Sequence, residues 1–237
     1  MAWTLVTGQT AALSNATTQN PTLALTNTIA SGNVGCGAVV YGSAQTLNSV
    51  TDDKSNTYNL KSTITQALDG VKVTLFELGN ITNGPKTFTF NFSAATDSCA
   101  VVAEFSGGLA VGDPNDGTTG QAQSAVASGA NNVTSTAITT TTNGDLILGA
   151  SSDTASLTAN SLGTSPNAFT NINTASNSTA IFSLRLEFFV QTTAASIAAT
   201  FGIAVNGDNA ATNIVALKPS ASGGDTLLGQ DQKLIMM

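Results

Sequence analysis

The sequence predicts an all-β chain: an antiparallel β-sandwich, jelly-roll-like, with extended N- and C-terminal arms. Three observations point there. Threonine supplies 37 of the 237 residues while charged residues make up only 9%, and β-branched side chains suit a pleated surface whereas Gly, Asn and Asp supply its turns. Apolar residues recur with period two in several segments, the mark of strands with one buried face. No amphipathic helical segment separates those stretches, so the strands are expected to pair antiparallel in sheets packed face to face, as in a jelly roll or an immunoglobulin-like sandwich. A hydrophobic content of 41% suffices to fill a core, so disorder is not expected.

Taken in order, the strand candidates are 37–41, 71–78, 88–92, 100–105, 146–150, 182–188, 197–205 and 214–218. In the third, Phe88, Phe90 and Phe92 point one way while Thr89 and Asn91 point the other. In the sixth, Phe182, Leu184, Leu186 and Phe188 alternate with Ser183, Arg185 and Glu187. Turn-forming runs separate them: Asn83-Gly84-Pro85, Asp113-Pro114-Asn115-Asp116-Gly117, Asn143-Gly144-Asp145 and Asn206-Gly207-Asp208. The polar small-residue stretches 117–142 and 151–178 read equally as short edge strands or long loops. This divides the chain into an N-terminal arm or first strands over 1–32, the sandwich over 33–219, and a Gly/Ser linker with an apolar tail over 220–237.

The composition withholds most catalytic equipment. There is no histidine and a single arginine, which removes Ser/His, Cys/His and multi-histidine zinc arrangements together. A net charge of −7 and a pI near 4.2 leave no basic patch for phosphates, so neither nucleic acid nor an anionic membrane is an expected partner. Cys36 and Cys99 sit in apolar segments and read as buried thiols, with a disulfide between neighbouring strands as the minority alternative.

The carboxylates were the remaining place to look. Glu77, Glu104 and Glu187 are the only glutamates, and an acid paired with a base or nucleophile would suffice for glycoside hydrolysis. Alternation places Glu77 and Glu187 toward solvent, and Glu104 at a strand end accepting backbone N–H groups. Trp3, Tyr41 and Tyr58 are too few for sugar-stacking platforms. Asp113, Asn115 and Asp116 put three oxygen ligands within four positions, a weak Ca²⁺ candidate that lacks the twelve-residue loop and its terminal Glu; no cofactor is expected. Asp52, Asp53 and Asn56 are placed to close an Asx-type turn ahead of Tyr58.

Several segments, taken in order, resemble a pattern in uncharacterised β-sandwich proteins encoded by tailed phages and bacteria. Val50 to Tyr58 is similar to "V-[ST]-D-x-x-G-N-T-Y", with Ser55 in place of the glycine. Val73 to Phe76 followed by Asn80 to Gly84 resembles "L-x-x-[YF]…N-I-x-x-G". Ala103 to Gly107 resembles "x-E-[YF]-S-G", Thr142 to Leu146 "T-x-x-G-D-L", and Val215 to Pro219 "V-A-L-[KR]-P". The resemblance covers roughly Gly32 to Pro219. It implies a β-sandwich and, because Met1 to Thr7 lacks a charged n-region and a long apolar run, the phage context rather than the secreted one.

The expectation is therefore a non-enzymatic virion protein, a capsid decoration or cement protein made in the host cytoplasm. Its partners would be the major capsid protein or neighbouring copies, in a homo-oligomer. Trp3 and Leu5 at one end and Leu234, Ile235 and Met236 at the other are the expected contact residues, since exposed apolar termini call for a partner. The alternative is a head or tail fibre module that holds host carbohydrate through Asn- and Thr-rich loops.

Overall fold

The computed structural model describes residues 3–66, 68–111, 114–116, 132–154, 156–162, 167–204 and 208–220. Over these residues the chain forms sixteen strands and no helix. The first eight are β1 (Thr4–Ala16), β2 (Thr22–Ala24), β3 (Val34–Gly42), β4 (Leu47–Asp52), β5 (Thr57–Gln66), β6 (Val71–Leu78), β7 (Thr87–Phe92) and β8 (Ser98–Ser106). They hydrogen-bond in the order β1-β8-β3-β6-β5-β4-β7-β2, with every pair antiparallel. Folded over at the β5–β6 pairing, the sheet becomes two four-stranded halves, β1-β8-β3-β6 and β2-β7-β4-β5, which is jelly-roll order. The expected all-β antiparallel sandwich is what the chain builds.

Side-chain phase explains why the halves close. Phe88, Phe90 and Phe92 of β7 are buried, as the alternation required, together with Val50 of β4 and Tyr58 of β5. They meet Val39, Tyr41, Phe76, Ala100 and Val102 from β3, β6 and β8. The rings interlock: Phe76 lies edge-on to Phe90 with centroids 5.8 Å apart and edge-on to Tyr58 at 5.9 Å. At Gly37 of β3 a side chain has no room, since a Cβ would stand 2.2 Å from the Val101 carbonyl oxygen and 2.6 Å from the Phe76 ring.

The remaining strands are β9 (Asn132–Thr134), β10 (Ile138–Thr139), β11 (Asp145–Asp153), β12 (Thr170–Asn177), β13 (Phe182–Gln191), β14 (Ser196–Ile197), β15 (Thr200–Gly202) and β16 (Ala210–Leu217). A second antiparallel sheet, β12-β13-β11-β16, covers the outer face of the jelly roll's β1-β8-β3-β6 half. There Cys36, Val40, Val73, Val101 and Phe105 pack against Leu146, Leu148, Leu184, Leu186 and Val215. Its far face is covered in turn by the short pairs β9–β15 and β10–β14, through Ile147 and Ile214 against Val133, Ile138 and Phe201. Four layers thus enclose three cores. Strands β3, β8, β11 and β16 are buried on both faces, which is why they read as unbroken runs such as Ala38-Val39-Val40-Tyr41 rather than as alternation.

Several expectations change. Of the two readings of residues 1–32, arm or first strands, the described residues 3–32 take the second: β1 and β2 are integral strands of the jelly roll, and Trp3 belongs to the core between the sheets. The strand expected over 197–205 divides into β14 and β15, and Val205 lies outside the described residues. Of the two ambiguous stretches, 132–142 contributes β9 and β10, while 151–178 contributes the end of β11 and all of β12.

Parts of the sheet edges are covered by neighbouring segments. Beyond the short β2, the same side of β7 takes Gln19 and Pro21 carbonyls, with Phe92 N–H and Phe90 N–H each donating at 3.0 Å. The free side of β1 meets the end of β12, where Asn177 Nδ2 donates to Ala16 O at 3.0 Å and Ser178 N–H to Asn15 Oδ1 at 2.6 Å. The free side of β16 and the residues after it are covered by residues 108–110 and 114–116.

Candidate functional site

The glutamates occupy three separate compartments. Glu77 on β6 stands opposite Cys36 and so shares its face, toward the second sheet. Glu104 on β8 stands opposite Gly35, on the other face of the same half-sheet. Glu187 on β13 stands opposite Gly149, on the far face of the second sheet. Such a distribution brings no pair of them together across a substrate.

All three are buried, which corrects the solvent-facing assignment of Glu77 and Glu187. Alternation predicts exposure only where one face of a strand meets water, and here both faces are covered. The Glu77 carboxylate is paired with Lys61 at 2.7 Å and receives Asn59 Nδ2 at 3.0 Å. A bulge in β5 between Leu60 and Thr63 lies at the lysine's position. Glu104 accepts from Ala30 N–H at 2.8 Å, Gln9 Nε2 at 2.7 Å and Asn33 Nδ2 at 2.6 Å, tying β1 and the loop after β2 to β8. Glu187 shares its face with Arg185, whose guanidinium donates to the Asn160 carbonyl and, at 2.7 Å, to Asn171 Oδ1. Burial lowers the arginine's pKa, and the Glu187 charge partly offsets this.

Two acidic residues far apart in sequence, Asp116 and Asp145, influence one another's carboxyls. Asp116 lies in the short segment beside β16, and Asp145 opens β11. Asp116 accepts from Thr141 N–H at 2.7 Å, Thr141 Oγ1 at 2.5 Å and Thr142 N–H at 2.6 Å. Asp145 is buried, neither of its carboxyl oxygens receives a hydrogen bond among the described residues, and burial, with the neighbouring Asp116 adding to it, pushes its carboxyl up to about 7. Sequence reading marked both motifs, Asp-Pro-Asn-Asp-Gly and Thr-x-x-Gly-Asp-Leu, without joining them; only the pairing of residues 114–116 with β16 does so. Of the Ca²⁺ candidates, Asp113 lies outside the described residues, Asn115 bridges to Leu217, and Asp116 directs its carboxylate at Thr141 and Thr142. Among the described residues no cluster of three or more Asp, Glu or Cys is placed to hold a metal ion.

The predicted Asx turn is present between β4 and β5. Asp52 Oδ1 accepts from Lys54 N–H at 2.9 Å and Asn56 N–H at 3.0 Å, and Oδ2 from the Tyr58 hydroxyl at 3.1 Å. Ser55 has φ of 65°, the left-handed region that favours glycine, which accounts for the glycine at this point of the resembled pattern. Burial, with the Asp52 charge adding to it, pushes the Tyr58 phenol up.

Trp3 packs where Gly107 admits it, a Cβ there falling 3.2 Å from the indole, and Leu5 pairs with Phe105 and packs on the same core. Trp3 is buried in that core, while Leu5 is partly buried at its margin. Leu234, Ile235 and Met236 lie outside the described residues. Cys36 and Cys99 are free and buried, and burial raises both thiols. Cys99 pairs with Val40, four residues along β3 from Cys36, so the two lie about 13 Å apart, beyond disulfide reach.

Two clefts share Asn80. One, of about 350 Å³, is lined by Ser31, Asn33, Gly107, Gly108 and Ser220; the other, of about 200 Å³, by Asn59, Glu77, Leu109, Val111 and Pro114. Between them they hold one carboxylate and no aromatic ring, which supplies neither an acid–base pair nor a sugar platform.

No protein-family model matches the chain, and no curated protein matches it. Two solved structures, both of oxalate decarboxylase, align at 7% and 6% identity. They cover 93% and 91% of this chain and 78% and 77% of theirs, with TM-scores of 0.19 and 0.18, a likeness too slight to bear on fold or chemistry.

Proposed function

We propose that this chain is a non-enzymatic structural protein of a bacteriophage virion, most simply a capsid decoration or cement protein. The observation that carries the reading is the dispersal of its glutamates: each is buried in a different compartment, and those of Glu77 and Glu104 join strands to one another. Side chains that would do chemistry elsewhere hold a scaffold here. Three further points support it. The ordered motifs resemble phage-encoded β-sandwich proteins. Jelly rolls serve in viral shells and in lectins, an analogy of fold that supports a virion role without choosing between shell and adhesin. The cover along β1 and β16 would limit edge-to-edge pairing between copies that stand close together.

The deciding experiment is quantitative mass spectrometry of purified particles. Hundreds of copies per particle support decoration of the shell. A few, up to a few dozen, favour the fibre module, and absence from the particle defeats the virion reading altogether.

A further inference from the structure

We propose that Asn83 is a site of spontaneous covalent modification, at which the Gly84 backbone nitrogen attacks the side-chain amide, expels ammonia and leaves, after hydrolysis, a carboxylate that unfastens the β6–β7 loop from the β4–β5 turn. The sequence holds three Asn-Gly pairs, at 83–84, 143–144 and 206–207. Asparagine is thermolabile, and a following glycine presents its nitrogen with no side chain in the way. The fold treats two of these pairs differently, and Asn206 and Gly207 lie outside the described residues.

Asn83 stands exposed in the loop between β6 and β7, and the Gly84 N–H, the attacking group, donates to no acceptor among the described residues. The Asn83 side chain is held in place. Asn56 Nδ2 donates to Asn83 Oδ1 at 2.9 Å, and Asn83 Nδ2 donates back to Asn56 Oδ1 at 3.1 Å. A donor on Oδ1 lies where negative charge develops as the nitrogen adds to Cγ. At the second pair the Asn143 Oδ1 also has a donor, the Ala194 N–H at 2.8 Å, but there the attacking nitrogen is engaged, since Gly144 N–H donates to Gln191 O at 2.8 Å. The state of the glycine nitrogen is what sets the two apart. Attack by Gly144 requires that bond to break first, and with it the turn that leads into β11.

The reaction needs only the chain and water. A bond forms from the Gly84 nitrogen to Cγ as the Cγ–Nδ2 bond breaks, and the Gly84 proton leaves with Nδ2 as ammonia. Water then opens the cyclic imide at either carbonyl, giving aspartate or isoaspartate. Either product gains a negative charge and loses the Nδ2 donor, so Asn56 Oδ1 faces a carboxylate where it had accepted a hydrogen bond. Asn56 Nδ2 also donates to Asp52 Oδ2 at 2.8 Å, which places the new charge a single amide away from an existing one. The isoaspartyl form further adds a methylene to a main chain anchored on both sides, where Gly32 N–H donates to Ile81 O at 2.7 Å and Ile29 N–H to Pro85 O at 2.8 Å. Loop and turn, joined in the starting protein, repel each other in the product.

Peptide mass spectrometry of the purified full chain, incubated at pH 8 and 37 °C in native buffer and in urea, tests this. In native buffer Asn83 is expected to convert to the acid about tenfold or more faster than Asn143, while in urea the two convert at similar rates. A smaller native ratio, the same ratio in urea, or no conversion of Asn83 in the folded chain over the time in which the unfolded chain converts, overturns the site. Asn83→Asp reproduces the aspartyl product and should speed amide exchange at Ile29 and Gly32 by about threefold or more, with Val101 unchanged. Aged wild-type protein, separated by ion exchange on its added charge, gives the same readout without a variant. Unaltered exchange at Ile29 and Gly32 in both refutes the unfastening.

Discussion

Asn213 offers the sharpest test of how the two sheets are held together. It lies on the face of β16 turned toward the jelly roll, between Ala211 and Val215, where periodicity calls for an apolar residue. Its Nδ2 donates to the Ser62 carbonyl at 2.9 Å and the Val73 carbonyl at 3.2 Å, and its Oδ1 accepts from the Ser62 hydroxyl. Ser62 sits in the β5 bulge, where the ladder to β6 is interrupted, so its polar groups need a partner from across the interface. Asn213→Ala would strand the Ser62 carbonyl and hydroxyl in a dry interface. At about 1–3 kcal/mol for each unsatisfied group, the expected loss is about 2–6 kcal/mol. Ser62→Ala removes only the hydroxyl and should cost about 1 kcal/mol. Urea denaturation of both single variants and the double variant measures the coupling, expected to reach about 0.5 kcal/mol or more. Loss of less than about 0.5 kcal/mol in Asn213→Ala, or strict additivity of the pair, would refute the argument that this asparagine ties the sheets.

Other outcomes follow from the same packing. Phe90→Ala should cost about 3–5 kcal/mol in denaturant melts and Thr89→Ala far less, because only the first empties a filled site; equal effects would overturn the strand phase. Gly37→Ala, placing a methyl against the Val101 carbonyl, should cost about 1–3 kcal/mol or more, and a variant as stable as the wild type would show that β3 and β8 shift freely. Cys36 and Cys99 should resist a thiol reagent until urea unfolds the chain, and prompt labelling of either in native buffer would contradict their burial. Wild-type stability should decline between pH 5 and pH 8 through Asp145, and a flat profile over that range would count against its raised carboxyl.

What could be read from the sequence was whatever depended on near neighbours. Phe88, Phe90 and Phe92 showed their phase because β7 has one covered face. The Asp52 turn was visible because all its partners lie within six residues. Glu77 and Glu187 were misplaced because alternation cannot announce a third and fourth layer. The sequence leaves β1 open between arm and strand for a related reason: its threonines and Gly8 lack a clear period, and its ladder to β8 slips between Leu5 and Thr10. The Asp116–Asp145 pair was hidden by the longest route of all, since it exists only after residues 114–116 dock on β16.

The pairing of β1 with β8 also governs how the molecule must come into being. The strand emerges from a ribosome first, yet its hydrogen-bonding partner follows about 90 residues later. At about 5–20 residues per second, that is a wait on the order of 5–20 s. During that interval β1 is a thirteen-residue strand with an open ladder on either side. Its polar threonines, the glycine at position 8 and the absence of a continuous apolar face make it a poor template for the wrong neighbour during that wait.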